Sequence, residues 1–268
     1  MSGVNRMLVL ILIVAFISVA QAQDTVKTLF MNGKVNEVYI VNTLKQKNGF
    51  YEKYDDQGHL WREEVYENDQ KHGVCRKRNS DGILVEYGEY KQGQLEGLWQ
   101  KYTDKGVLTD ECMYLFGFKN GLCRNWSEQS VLIQVQSYLR DEPEGVFKVF
   151  NEKGKQIVDG YFAYGKRTGQ WQWNYSQGAI QLRAQYKNDL LDGVYLQWDS
   201  LGNLCKSRFY KNGLIDSLSK SFYTHGGIQS LERYEMGKKS GLQKYFNKRG
   251  RLIKSEKYTN GVCVDGCE

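Results

Sequence analysis

Gly97-Leu98-Trp99-Gln100-Lys101-Tyr102-Thr103-Asp104-Lys105-Gly106-Val107-Leu108-Thr109-Asp110-Glu111-Cys112-Met113-Tyr114-Leu115-Phe116-Gly117-Phe118-Lys119-Asn120 is one unit of a pattern that occurs nine times. Stepping by 24 residues from Gly49 lands on Gly73, Gly97, Gly121, Gly145, Gly169, Gly193, Ser217 and Gly241. Nine positions further into each unit stand Gly58, Gly82, Gly106, Ser130, Gly154, Gly178, Gly202, Gly226 and Gly250. With 28 glycines in 268 residues, chance does not build two such columns; self-similarity at a fixed period is the mark of a repeat architecture. A third column is aromatic in every unit: Tyr66, Tyr90, Tyr114, Tyr138, Phe162, Tyr186, Tyr210, Tyr234 and Tyr258. A fourth holds only Gly or Asp: Asp69, Gly93, Gly117, Asp141, Gly165, Asp189, Gly213, Gly237 and Gly261.

These columns predict local structure. Gly and Asp tolerate positive φ, and Asn precedes the fourth column at Asn68, Asn188, Asn212 and Asn260, a strong hairpin-turn signal. Each unit therefore holds one turn at the second glycine and another at the Gly/Asp column. Two turns in 24 residues leave two extended segments of ordinary strand length. A helical reading fails because glycine recurs too often and apolar residues do not fall at intervals of three and four. The lone proline, Pro143, is expected in a turn, where its missing N–H costs nothing. The fold class is all-β: an elongated antiparallel β-hairpin array of about nine units forming a single twisted meander sheet. The aromatic column, beginning at Tyr66, is expected to form its buried spine. Acidic residues such as Glu63, Glu64, Glu111, Asp159, Glu232 and Glu256 are expected on a solvated, salt-bridged face.

The consensus, roughly G-x-W/Y-x-x-Y-x-x-x-G-x-L-x-x-E-x-x-Y-x-N-G-K, resembles the MORN-type repeat, in the bacterial variant of YwqK-family antitoxins. Gly97–Leu108 and Gly241–Leu252 carry it best, and the resemblance covers residues 49–264, with a half-match at Leu29-Phe30-Met31-Asn32-Gly33-Lys34. Arg78, Asn174, Ser130 and Ser217 depart from the pattern. The resemblance implies the hairpin fold and offers an antitoxin role as one expectation; it assigns no catalytic residue.

The organisation outside the repeats follows. Arg6, an uncharged run from Leu8 to Val19 and Ala20-Gln21-Ala22 read as a secretory signal peptide over residues 1–22. Met7 to Ala22 is 16 residues, short of the roughly 20 needed to cross a bilayer. No integral membrane segment is expected after cleavage. Residues 23–48 read as a degenerate repeat capping one end, 49–264 as the nine repeats and 265–268 as a tail. Export to the periplasm, cell surface or medium makes disulfides admissible. Of six cysteines, Cys263 and Cys267 are the best local pair. Cys112 and Cys123 flank one turn, and Cys75 and Cys205 read as small buried residues.

Little chemistry is visible. The net charge of +6 is dispersed along the chain, which disfavours nucleic acid as a partner. His59, His72 and His225 lie in different units, no zinc spacing occurs, and no nucleophile elbow, P-loop or calcium loop is present. The expectation is a non-catalytic protein without cofactor or metal. Its partner would be another envelope or secreted protein, or a second copy of itself. Trp171, Trp173 and Trp198 cluster in sequence and are a candidate platform for a glycan or peptide; the favoured reading is that Trp99 and Trp171 share a core column with Tyr51, Phe147 and Tyr195.

Overall fold

The computed structural model describes residues 23–267, in which every element is a strand and none is a helix. The 23 strands form a single sheet. Each strand pairs antiparallel with the next hairpin arm in sequence, from Asp24–Leu29 on Val35–Val41 to Leu252–Thr259 on Val262–Asp265. The sheet is thus an open meander with those two outermost strands as its edges. Residues 1–22, including the signal-peptide reading, lie outside the described residues. Asp24–Leu29 and Val35–Val41 form one further hairpin at the edge of the sheet. The tail begins inside the final strand, Val262–Asp265.

Both turns fall where the columns put them. At the second glycine, the Asp55 carbonyl accepts from Gly58 N–H (3.0 Å) and Asp55 N–H donates to His59 (2.9 Å). Gly58 sits at φ +92°, the left-handed residue of a three-residue hairpin loop with a glycine bulge. At the Gly/Asp column both central residues are left-handed, as in Asn68 (+49°) and Asp69 (+65°), which makes a type I′ turn. These turns stack along one edge: the N–H of each Gly or Asp donates to a carbonyl one repeat back, Asp69 to Lys47 and Gly261 to Lys239, both 2.9 Å. Pro143 lies not in a turn but in the strand Glu142–Phe150. Asp69, Asp141 and Asp189 accept from the N–H groups of Lys47, Lys119 and Arg167; opposite Pro143, which has no N–H, stands Gly165.

The first glycine column makes a third feature, a bulge inside the strand. Lys119 pairs with Tyr114 and Cys123 with Cys112, so three residues oppose Met113 alone. Gly121, at φ +113°, lies among them, and a Cβ there would come within 3.3 Å of the Met113 side chain. Glycine clears room for the neighbouring strand's side chain and supplies the φ that a bulge needs. Where serine replaces glycine the backbone is unchanged: Ser130 and Ser217 are both at φ +62°.

Burial is greatest one column away from the expected spine. The aromatic column is half-buried, Tyr138 included. The deepest positions are a row of directly opposed pairs in mid-strand: Tyr51 with Glu64, Cys75 with Gly88, Trp99 with Cys112, Phe147 with Gly160, Trp171 with Ala184, and Gln243 with Glu256. A mid-strand position has neighbours on all sides of its face, whereas the aromatic column stands beside the bulge. The pairs balance volume: a Cβ added to Gly160 would run into the Trp171 indole, an overpacked contact. Glu64, 4% exposed, and Glu256, 8% exposed, belong to this buried row and not to a solvated face.

Candidate functional site

The tryptophans expected to cluster are divided by the sheet. Trp171 and Trp173 alternate on one strand and share a face, their rings stacked at 5.7 Å and 29°. Phe147, Phe162 and Tyr186 surround Trp171 at 5.6, 5.1 and 6.3 Å. Its indole N–H donates to the Tyr161 carbonyl at 3.2 Å. Trp171 is 3% exposed, so its ring offers no stacking surface; it is core. Trp198 belongs to the other face. Arg183 hydrogen-bonds Gln172, which points away from Trp171 and Trp173, and places its guanidinium 5.8 Å from the Trp198 ring. The three residues form no platform.

Both expected cysteine pairs are disulfides, Cys112–Cys123 and Cys263–Cys267. The first joins residues directly opposed across a hairpin; the second closes a short loop beside the C-terminal edge strand. Cys75 and Cys205 are free thiols, Cys75 buried and Cys205 half-buried.

Around Cys75 lies a cavity of about 50 Å³ lined by Arg62, Glu64, Lys71, Gly88 and Tyr90 among others. Lys71 Nζ is 2.8 Å from Glu64, and Tyr66 donates to Glu64 at 2.7 Å, so the buried carboxylate is satisfied. Burial, and then the Glu64 charge, push the Cys75 thiol up to about 11. At neutral pH it is protonated, a poor nucleophile. Burial, and then hydrogen bonds to Glu37 and Glu64, push the Tyr51 and Tyr66 phenols up. The Glu52 hydrogen bond, and then burial, push Tyr54 up to about 12. Among the described residues no group of three or more His, Cys, Asp or Glu side chains could hold a metal ion.

Two features were not anticipated from the sequence. One is a turn column three residues before the second glycine. Asp55 Oδ1 accepts from the N–H groups of Gln57 (2.9 Å) and His59 (2.8 Å), and Asn79, Asn151 and Asn247 do the same in their units. Tyr175 and Tyr223 replace them and instead donate across to the next repeat, to Trp198 O (3.0 Å) and Phe246 O (2.7 Å). The recurrence of Asp, Asn, Ser or Thr at this position was the available signal.

The second is an apolar stripe on the face opposite Trp171. Its column reads Phe50, Val74, Leu98, Leu122, Val146, Gln170, Val194, Leu218 and Leu242. Phe50 is directly opposite Val65, Leu98 opposite Met113, Val146 opposite Tyr161 and Val194 opposite Phe209. Phe50 is 69% exposed and Leu242 50%; Met113, Val146, Tyr161, Val194, Phe209 and Leu218 are exposed as well. Scattered exposed apolar residues are ordinary; here they recur at the repeat period on one face, interrupted by Gln170 opposite Gln185.

No family model matches the sequence, and no curated protein matches it. Among solved structures the chain is similar to a chain of the TcdB2–TccC3–Cdc42 crystal structure at 8% identity, covering 87% of this chain and 15% of that one, with a TM-score of 0.20. A chain of the Photorhabdus luminescens Tc holotoxin pore is similar at 13% identity, covering 88% of this chain and 14% of that one, with a TM-score of 0.19. The chain therefore spans about one seventh of either neighbour. Scores this low carry no conclusion about fold or activity.

Proposed function

We propose that this is an exported, non-catalytic repeat protein of MORN-like type that serves as an interaction scaffold for a protein partner. The observation that carries this reading is the exposed apolar stripe from Phe50 to Leu242, repeated at the period of the fold on one face of the sheet. Burying such a stripe gains roughly 25 cal/mol per Å² of apolar surface, and a partner with a matching apolar ridge would collect that gain along the whole array. Two cystine pairs and the signal-like segment at Arg6–Ala22 support export. The glycan alternative loses its main support because Trp171 is enclosed and Trp198 lies on the other face.

The test is in-cell crosslinking of the full-length protein, with fractionation and mass spectrometry of the products. The expected result is an exported protein crosslinked through stripe positions such as Val146 or Val194. A protein retained in the cytosol, or crosslinks only through the opposite face, would overturn the reading.

A further inference from the structure

The stripe has a chemistry that depends on direction. In its second unit Val74 is paired with Glu89, whereas in the eighth and ninth units Leu218 is paired with Arg233 and Leu242 with Lys257. Lys220 and Lys244 stand on this same face, two residues from Leu218 and Leu242. The C-terminal end of the face therefore carries an excess of basic residues, with Asp216 and Glu235 beside Leu218 and Arg233. The N-terminal end is mixed: Glu52 and Glu63 are directly opposed, Arg78 neutralises Glu63 at 2.7 Å, and Arg76 is the neighbour of Glu63 on the next strand.

Resting on the scaffold reading above, we propose that the occupant of this stripe is a second copy of the chain, packed face to face in the reversed direction about a two-fold axis. A two-fold contact brings the same patch of both subunits together. A two-fold axis parallel to the strands sets unit one against unit nine and the fifth unit against itself. With the axis between their strands, the Val146–Tyr161 pair then meets its own copy, Met113 meets Val194, and the Phe50–Val65 pair meets the Leu242–Lys257 pair with Val65 facing Leu242. The same operation sets the Val74–Glu89 pair against the Leu218–Arg233 pair twice, with Glu89 facing Leu218 and Arg233 on the adjacent strand. The other two-fold arrangement, with units in the same direction, sets Arg233, Lys244 and Lys257 against their own copies. Like charges so juxtaposed disfavour association. The repeat spacing is common to both chains, so the apolar side chains interdigitate along the stripe as they do between packed sheets, at about 10 Å.

Sedimentation equilibrium of the purified full-length protein is the experiment, with circular dichroism as a check on folding. The wild type is expected to be a concentration-dependent dimer, and Val146→Lys, at an exposed site on the axis, to be a folded monomer. Should Val146→Lys fail to fold, Leu242→Lys tests the same contact at the end of the stripe. Glu89→Arg and Arg233→Glu are each expected to weaken dimerisation on the order of tenfold or more, and the double swap to restore most of the loss. A wild type that stays monomeric at every concentration overturns the proposal, as does a dimer indifferent to these stripe variants or a double swap no better than the singles. A monomer whose stripe crosslinks to a different exported protein overturns self-pairing while leaving the scaffold reading in place.

Discussion

Trp171 and Gln243 occupy the same position in repeats three units apart, and both are buried to within a few per cent of completely. Around Trp171 the face is aromatic: Phe147, Phe162, Trp173 and Tyr186 pack on it. Around Gln243 it is polar, with Glu256 opposite and the hydroxyl of Ser219 at the same position one repeat earlier. The backbone nevertheless follows the same path and bulge, with the one difference that the strand Lys166–Asn174 is continuous while its counterpart is interrupted at Ser240. One task is shared. Trp171 donates to the Tyr161 carbonyl, and Gln243 donates to the equivalent Arg233 carbonyl at 3.1 Å. Gln243 goes further, accepting from Arg233 N–H at 2.8 Å and donating to the Ser240 carbonyl at 3.1 Å. The bulge at the first glycine leaves main-chain groups without ladder partners, and the spine side chain satisfies them. Glycines and turns define the repeat; the spine may be oily or polar so long as it fills the space and serves those groups.

The sharpest contrast comes from deleting the two spine side chains. Trp171→Ala should cost about 3–5 kcal/mol, measured by urea denaturation, because the ring packs against four aromatic neighbours. Gln243→Leu should cost about 1–3 kcal/mol, with the volume kept and the Arg233 N–H and Ser240 carbonyl left without the Gln243 partner. A neutral Gln243→Leu would break the comparison, for it would mean that those groups need no partner there.

A third effect separates the two ends of the sheet by pH. The phenols of Tyr51, Tyr54 and Tyr66 are raised, by burial or by their carboxylate partners, and all three lie in the N-terminal part of the array. A raised folded-state pKa favours the protonated phenol, so its contribution is complete below the ordinary tyrosine value of about 10 and is lost as pH rises beyond it. Stability should therefore decline above pH ~10, with Tyr54 titrating near 12. Hydrogen exchange across an alkaline series should show the N-terminal hairpins opening before the Trp171 region. Simultaneous loss would mean that the phenol–carboxylate pairs hold nothing local.

The smallest effect concerns the two serines in glycine columns. Ser217→Gly and Ser130→Gly should each stabilise by about 0.5–1 kcal/mol, relieving a left-handed φ of +62°, as read by a small rise in the urea midpoint.

Most of the fold was legible because type I′ turns and glycine-bulge loops demand positive φ, and few residues accept it. The first glycine was harder. Mid-strand and turn glycines look alike until pairing register is known, so Gly121 gave no sign of its bulge. The column of Tyr51, Trp99, Phe147 and Trp171 is legible as core, but constancy of residue type does not measure burial. The aromatic column never changes yet stands beside the bulge, whereas the deepest row ranges from Trp171 to Gln243. The disulfides were legible from Cys112 and Cys123 flanking a turn. The tryptophan cluster was not, although one clue lay in parity: Trp198 falls one repeat and three residues after Trp171, and an odd offset switches faces. The apolar stripe is hard to see in the sequence because Val, Leu and Phe together make a column only once they are known to share a face.

The central claim is that backbone columns, and not the oiliness of the spine, hold the sheet together. Native-state amide exchange compares Leu214–Phe222, whose spine residue is Ser219, with Lys166–Asn174, built on Trp171. The account predicts slow exchange in both strands, with protection within about tenfold, or roughly 1.4 kcal/mol, of one another. Rapid exchange throughout Leu214–Phe222 while Lys166–Asn174 stays protected would contradict it.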